Sequence, residues 1–165
     1  MIFETERLIV RKLIDADLIP FHKMQSNPKV MQYATGDVKS MEAHKIELRE
    51  LISKYNLANN DFWIYAIIRK EDHKFIGTVA LVKDGDDDEI GYRFLEKYWN
   101  KGYATEVCGG LITYCKSIGM RKLIGSVVDK NVASAKVLER FNFKKVKQFI
   151  SDDIQLPETK YELEL

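Results

Sequence analysis

The spacing of hydrophobic residues predicts one long helix in the second half of the chain. From about residue 103, apolar positions recur every three or four residues, which gives this helix one buried face. That face comprises Ala104, Val107, Cys108, Leu111, Ile112, Cys115 and Ile118. Residues 89–95 alternate in polarity and predict a strand, and a short polar loop that ends at Gly102 joins this strand to the helix.

The order of strand, loop, glycine and helix favours an anion-binding site. The first N–H groups of a helix have no partner within it, and they point along the positive end of the helix dipole. Gly102 lets the backbone approach a ligand closely, and Lys101 adds a positive charge. A phosphate or pyrophosphate is therefore the favoured ligand, although these two residues alone also fit an ordinary turn between a strand and a helix.

The same patterns predict the remaining elements. Helices are expected from the N-cap Asp15 to Met24, over residues 41–57 and over residues 131–141, and an irregular stretch is expected over residues 29–39 around Gly36 and Asp37. Strands are expected at residues 7–13, 62–69, 75–82, 89–95, 122–128, 143–149 and 159–165. We find no repeat or linker, so residues 1–165 are predicted to form a single α+β (mixed α/β) domain around one mostly antiparallel sheet of about seven strands flanked by helices.

Composition excludes several classes of function. The 165 residues carry 26 basic and 25 acidic side chains, a net charge of +1, so no overall field favours nucleic acid or an anionic membrane. Cys108 and Cys115 lie on the buried helix face in poor geometry for a disulfide, which is typical of a reduced protein. No signal peptide or membrane-spanning run is evident, and we expect a cytoplasmic protein with no nucleic-acid or membrane partner.

A second informative stretch is residues 131–143. Ser134 shares a helix face with Val137, Leu138 and Phe141, which places its hydroxyl at the buried edge, where a polar group needs a partner. Asn131 falls on the same side, and it also fits a simple helix N-cap that accepts the N–H of Ser134.

Together the two stretches resemble the GCN5-related N-acetyltransferases (GNAT), within them the ribosomal-protein N-terminal type (RimJ and RimL). The resemblance covers most of the chain, in the order and spacing of that family. The segments that carry it are residues 5–11 (TERLIVR), 90–92 (IGY), 98–106 (YWNKGYATE), Asn131-x-x-Ser134 and 139–143 (ERFNF).

The resemblance implies a splayed sheet and acetyl-CoA as the cosubstrate. It implies that the pantetheine arm lies along Phe94 and Leu95, in the gap beside the strand at 122–128, and that Asn131 and Ser134 face the arm and the thioester. Lys136, on the exposed side of its helix, becomes a candidate contact for the 3′-phosphate. The pyrophosphate would lie on the backbone N–H groups of Asn100, Lys101, Gly102, Tyr103, Ala104 and Thr105.

The chain departs from the family at two positions that matter. Trp99 stands where glutamine or arginine usually opens the pyrophosphate signature. Leu138 stands where many members carry a tyrosine that protonates the departing thiolate, which leaves the Ser134 hydroxyl or a water as the general acid.

The mechanism expected is direct attack of a neutral amine on the thioester, with a carboxylate or a water chain removing the proton of the amine. Glu89 is the first candidate for this base, because it shares a strand face with Gly91, whose missing side chain leaves room for a substrate. Asp88 is the second candidate, and a solvated strand-edge carboxylate remains the alternative for Glu89. Backbone N–H groups near Leu95 are expected to hold the thioester oxygen.

The other polar clusters predict no further chemistry. Residues 84–88 contain four aspartates but lack the calcium-loop pattern, so we interpret them as a solvated hairpin. His22, His44 and His73 have no ligand spacing, and no metal is expected. A coenzyme A-binding module without catalysis is the alternative function. A dinucleotide-dependent oxidoreductase fits poorly, because only one glycine of a Gly-x-Gly-x-x-Gly turn is present. The acceptor, either a protein N-terminal α-amine or a small-molecule amine, and the oligomeric state, monomer or homodimer, stay open.

Overall fold

One β-sheet organises the fold in the computed structural model, which describes residues 1–34 and 39–165. Eight described strands lie side by side in the order β1-β2-β3-β4-β5-β6-β8-β7. Their bounds are β1 Phe3–Glu4, β2 Leu8–Lys12, β3 Phe62–Arg69, β4 Phe75–Asp84, β5 Asp87–Phe94, β6 Lys122–Val128, β7 Lys144–Ile150 and β8 Pro157–Glu164.

Five described α-helices cover the sheet. Their bounds are α1 Leu18–Gln25, α2 Pro28–Met31, α3 Met41–Lys54, α4 Tyr103–Ser117 and α5 Val132–Arg140. Helices α1 and α3 pack on each other and over β3 and β4, whereas α4 packs on β1 and α5, and α5 on β6. Among the described residues, no helix combines the length and apolar character needed to cross a membrane.

The sheet splays between β5 and β6, and this gap positions the site. All other neighbouring strands pair antiparallel, and β5 pairs along its whole length with β4, from Asp87 to Phe94. Strands β5 and β6 are parallel and meet at a single register point, Glu89 opposite Ile124. Beyond that point toward Phe94 the two strands have no register pair, so a gap opens between them.

The fold class is confirmed, and so is the α4 start at Gly102. Gly102 has a φ of 79°, and Asn142 has a φ of 65°, the left-handed conformation predicted for asparagine at that helix end. Gly119, with a φ of 84°, ends the segment after α4 as predicted.

Several predicted bounds were wrong, each for a local physical reason. The sheet has eight described strands, not about seven, because the two-residue β1 pairs with β2 and is too short to show a period. Residues 28–31 form α2, because Asn27 caps it by accepting the Lys29 N–H at 2.9 Å and Pro28 fits the first turn. The predicted features Gly36 and Asp37 lie outside the described residues.

The remaining corrections concern aspartates and one helix end. Asp15 is not the cap of α1, since residues 15–17 form a 3-10 turn in which the buried Asp17 accepts the Ile14 N–H at 2.9 Å. Helix α3 ends at Lys54, three residues before the predicted end at 57. Residues 84–88 form a hairpin as predicted, but its turn is shorter, since β4 extends to Asp84, β5 begins at Asp87, and Gly85 with a φ of 61° makes the turn between them.

Candidate active-site cleft

A cleft of about 400 Å³ passes through the gap between β5 and β6 and reaches both faces of the sheet. Successive residues of a strand point to opposite faces. Tyr92 points toward α4 and α5, where its hydroxyl neighbours Ser134, whereas Arg93 points toward α1, where its guanidinium contacts Gln25. The cleft therefore joins two compartments, one beside α5 and one beside α1 and α3.

The structure brings the predicted pair Asn131 and Ser134 together at the α5 wall of the cleft. The Asn131 side-chain oxygen accepts the Ser134 N–H at 3.3 Å, so the N-cap interpretation is confirmed. This cap fixes the first turn of α5 and with it the position of the Ser134 side chain beside the gap. Leu138 lines the same wall, one turn further along.

Tyr92 is a site residue to which the sequence assigned no role. Its hydroxyl is buried beside Ser134 and has no partner with hydrogen-bond geometry among the described residues. Burial raises the pKa of Tyr92 to about 12, while the Ser134 hydroxyl acts in the opposite direction. The motif at 90–92 was the available signal, but an aromatic residue between Ile90 and Phe94 on an inward face is also typical of a core position.

The loop before α4 has the backbone expected of an anion site. Asn100 and Gly102 both have positive φ, 58° and 79°, on either side of Lys101. Gly102 is the N-cap of α4 and provides no side-chain cap, so the first N–H groups of the helix, at Tyr103, Ala104 and Thr105, stay available for a ligand. The Lys101 ammonium lies over the Tyr98 ring, 5.7 Å from its centroid, at the edge of this loop.

A clamp formed by Thr5, Arg7 and Glu106 holds this loop from the N-terminal side. Glu106 accepts three hydrogen bonds, from the Thr5 hydroxyl at 2.6 Å, the Arg7 N–H at 2.7 Å and the Arg7 Nε at 2.6 Å. Arg7 also donates to the Lys101 carbonyl at 3.0 Å and lies over the Tyr103 ring. Burial of Glu106 opposes its ionisation, but the hydrogen bonds from Thr5 and Arg7 prevail and lower its pKa.

Phe94 and Leu95 are buried at the end of β5, and the N–H of Leu95 is already used. Leu95 donates to the Ile76 carbonyl at 2.9 Å, and the Phe94 carbonyl accepts the Trp99 indole N–H at 3.0 Å. The Leu95 N–H itself is therefore not available to the thioester oxygen. Because alternate N–H groups of a strand point to opposite sides, the N–H groups of Tyr92 and Phe94 face the gap instead.

Glu89 lies at the narrow end of the gap and bridges it. Its Oε1 accepts the Ser126 N–H of β6 at 3.1 Å, and Ser126 lines the cleft. Burial raises the pKa of Glu89, with the Ser126 hydrogen bonds acting against it. Gly91 on the same strand face leaves open space, since a Cβ there would meet only the Ala80 Cβ at 3.8 Å. Asp88, the second candidate base, is instead bound to Lys83 at 2.8 Å.

Glu158 is a cleft carboxyl that the sequence did not single out. It lines the cleft from β8, and burial raises its pKa, as does the negative charge of Glu89 nearby, while Ser151 acts in the opposite direction. Glu158 in the cleft and Glu89, bound to Ser126 of the cleft wall, both have raised pKa values, which is typical of a functional site. No local pattern could reveal this, because β8 reaches the cleft only through its pairing with β6.

The other predicted chemistry-bearing residues lie outside the cleft. Lys136 is exposed on α5 and does not line it. Cys108 and Cys115 are buried in the core, and burial raises the pKa of each to about 12. His44 is buried against His22, with 2.7 Å between their Nδ1 atoms. In the part of the chain that the structure describes, no three His, Cys, Asp or Glu side chains are grouped as metal ligands.

Comparisons with known proteins agree with this geometry. The family model described as an acetyltransferase (GNAT) domain matches residues 7–144. The uncharacterized N-acetyltransferase YoaA of Bacillus subtilis (strain 168) is 28% identical over 149 residues, which cover 87% of this chain and 83% of YoaA.

Two solved structures share the fold. The acetyltransferase (GNAT family) from Bacillus anthracis superimposes with a TM-score of 0.86 at 23% identity, over 98% of this chain and 97% of that one. RimL, a ribosomal L7/L12 alpha-N-protein acetyltransferase in complex with coenzyme A, superimposes with a TM-score of 0.83 at 16% identity, over 98% and 96% of the two chains. The match to the family model over most of the chain, together with the splayed sheet, places this protein in the GNAT family of acetyltransferases.

Proposed function

We propose that the protein transfers the acetyl group of acetyl-CoA to a primary amine by direct attack of the amine on the thioester. The observation that carries this proposal is the cleft through the splayed sheet, which has Ser134 of α5 on one face and the compartment lined by Gly91 and Arg93 on the other. Such a cleft lets a cosubstrate and an acceptor meet from opposite faces. The structural neighbour RimL in complex with coenzyme A supports the choice of cosubstrate.

The residues of the α4 loop fit the pyrophosphate of coenzyme A. The left-handed Asn100 and Gly102 turn the backbone so that the N–H groups of the loop and of the first α4 turn converge. Lys101 and Arg7 supply positive charge beside them. The pantetheine arm follows the open edge of β5 past Phe94 and Leu95, and Lys136 stays a candidate contact for the 3′-phosphate.

The cleft residues supply the proton transfers. The amine nitrogen forms a bond to the thioester carbon, the carbon–sulfur bond breaks, and the coenzyme A thiolate takes a proton from the Ser134 hydroxyl or a water. Glu89 accepts the amine proton, directly or through a water, and its raised pKa makes it a better base near neutral pH. Solvent then restores the starting protonation of both residues.

Three further groups position these reactants. Asn131 holds the first turn of α5 and therefore the Ser134 hydroxyl. The buried Tyr92 hydroxyl lies beside Ser134 without a hydrogen-bond partner among the described residues, so its proton is available to orient the Ser134 hydroxyl when the substrates bind. The N–H groups of Tyr92 and Phe94 face the gap and stabilise the charge that develops on the thioester oxygen.

Enzyme kinetics test these roles. The release of coenzyme A thiol is measured for the wild type, Ser134→Ala and Glu89→Gln. Ser53→Ala and Glu164→Gln, which change an exposed serine of α3 and an exposed glutamate of β8, are the matched controls. We expect about a 100-fold loss of kcat in each cleft variant, the range of general acid–base catalysis, and unchanged kcat in the controls. Full activity in both cleft variants would refute the assigned chemistry.

The finer features remain proposals. The RimJ/RimL type is favoured by the motif at 98–106, a cytoplasmic location by the composition, and either a monomer or a homodimer fits the sequence. A coenzyme A-binding module without catalysis would bind acetyl-CoA and release no thiol in the same experiment. No observation on the described residues favours it, since Ser134 and Glu89 are both present at the cleft.

A further inference from the structure

Arg93 projects its guanidinium into the compartment beside α1 and α3. It shares a strand face with Gly91, and two residues of a strand span about 7 Å, so its backbone lies close to the open space at Gly91. Its side chain lines the cleft and is exposed there. One contact to a side chain orients it, a hydrogen bond from Nη1 to the Gln25 Oε1 at 2.8 Å.

Most N–H donors of the Arg93 guanidinium make no hydrogen bond to a described side chain. An arginine carries five N–H donors, and among the described residues Arg93 has no carboxylate within ion-pair distance. The other two strand arginines differ from it. Arg11 holds both oxygens of Asp17 at 2.8 and 2.9 Å, and Arg69 holds both oxygens of Asp72 at 3.0 and 2.7 Å. A cation that faces a cleft without such a partner favours an anionic ligand.

The nearest carboxylate, on Glu47 of α3, is already engaged. Its Oε2 accepts from Lys39 at 2.8 Å, and its Oε1 accepts from the Gln25 amide at 3.2 Å. Gln25 therefore stands between Glu47 and Arg93. Surrounding protein lowers the pKa of the Arg93 guanidinium, which is the direction expected for a partly desolvated cation with no carboxylate in contact.

Charge is distributed unevenly along the cleft. Glu89 lies at the narrow end of the gap, where its carboxylate accepts the Ser126 N–H, whereas Arg93 lies four residues further along β5 toward the open end. The Glu158 carboxyl lines the cleft from β8, opposite Val128 of β6. A ligand that carries an amine at one end and an acidic group at the other matches this polarity. A polyamine would place a second positive charge beside Arg93.

We propose that Arg93 binds the carboxylate of a small amine acceptor of the α-amino acid class, while the amine of that acceptor faces the thioester near Gly91. This inference rests on the proposed acetyl transfer. Arg93 determines specificity and takes no part in proton transfer, so its loss raises KM more than it lowers kcat. An uncharged amide in place of the carboxylate loses the charge-assisted hydrogen bonds.

Matched acceptor pairs test the inference. The twenty common L-amino acids and their α-amides are compared as acceptors, with spermidine and an N-terminal peptide amide, for the wild type, Arg93→Gln and Arg93→Lys. We expect at least one free amino acid to be acetylated with kcat/KM at least tenfold above that of its amide. Arg93→Gln should raise KM for that acid by about 10- to 100-fold and leave KM for its amide unchanged. Arg93→Lys, which keeps the charge but loses the bidentate geometry, should restore part of the difference.

Other outcomes overturn the inference in distinguishable ways. Equal or better turnover of the amides, spermidine or the peptide, with no effect of Arg93→Gln on KM, shows that the carboxylate is not recognised. Acetyl-CoA binding, measured by calorimetry, with no acetylated amino acid also overturns this choice of acceptor, although the proposed cosubstrate stands. If acetyl-CoA itself does not bind, the proposed function is refuted, and the inference that rests on it is refuted as well.

Discussion

The clamp of Thr5, Arg7 and Glu106 on the loop before α4 gives a quantitative prediction. Glu106→Gln removes the charge that accepts the Thr5 hydroxyl and the Arg7 Nε, each at 2.6 Å, and the Arg7 N–H at 2.7 Å. Hydrogen bonds to a charged group contribute about 1.5–3 kcal/mol each when buried. Here the Arg7 side chain is 44% exposed and Glu106 is 16% exposed, so water replaces part of each bond. We expect a loss of about 2 kcal/mol for the whole clamp, well below the buried sum.

Urea unfolding followed by circular dichroism measures this loss. With a urea m-value of about 2 kcal/mol/M, a loss of 2 kcal/mol lowers the midpoint by about 1 M. The control is Asp15→Asn, because Asp15 is 78% exposed and its contact with the Arg49 Nε is 3.6 Å long. An exposed pair of this kind contributes about 0–0.5 kcal/mol, so the control midpoint should barely move.

The same variant has a defined pH dependence. The pKa of Glu106 is lowered in the folded protein, so its stabilisation is complete above the pKa of the unfolded chain and is lost as pH falls through the folded pKa. The difference between wild type and Glu106→Gln should therefore be full at pH 7 and shrink below about pH 4. A midpoint shift no larger than that of Asp15→Asn at pH 7 would refute the clamp.

Three further predictions follow from the loop and the cleft. Gly102→Ala forces a φ of 79° on a residue with a side chain and brings its Cβ to 3.3 Å from the Arg7 Nη2. The free energy of unfolding, measured by thermal unfolding, should fall by about 1–2 kcal/mol. Calorimetry should show weaker binding of coenzyme A. Tyr92→Phe removes a buried hydroxyl that has no partner among residues 1–34 and 39–165, so stability should stay within about 0.5 kcal/mol or rise, while kcat falls. The pKa of Glu89 is raised in the folded protein, so ionisation of Glu89 costs stability as pH rises through that pKa. Glu89→Gln should therefore be at least as stable as wild type at pH 7. Because catalysis requires the ionised form of Glu89, the wild-type rate should rise with pH. Equal urea midpoints at pH 4 and pH 7 for Glu89→Gln relative to wild type, or a flat rate profile, would contradict the assignment.

Local patterns predicted the parts of the fold that local physics determines. The period of 3.6 in α4, the alternation in β5 and the apolar runs in β3 and β4 are properties of neighbouring residues, and the structure has these elements close to where the sequence predicted them. The sequence predicted an irregular stretch from residue 29, although Asn27 and Pro28 are suited to start a helix, so α2 was missed.

Long-range convergence could not be predicted from spacing. Arg7 and Glu106 are 99 residues apart, and Arg93 meets Gln25 across 68 residues, so each contact depends on how the helices pack on the sheet. Thr5 and Arg7 belong to residues 5–11, a segment that resembles the family. The structure shows what both residues do, since each donates hydrogen bonds to Glu106. Ser134 and Asn131 were predictable because both lie within one helical turn.

The most direct test of the central proposal is the stoichiometry of acetyl transfer. Coenzyme A thiol is quantified with a thiol reagent while mass spectrometry counts the acetylated amines, with acetyl-CoA and a panel of amino acids, polyamines, aminoglycosides and N-terminal peptides. The proposed cleft chemistry predicts one acetylated amine for each thiol released, and no release above background without an acceptor. Thiol release without any acetylated amine, or tight acetyl-CoA binding with no release across the whole panel, would contradict it.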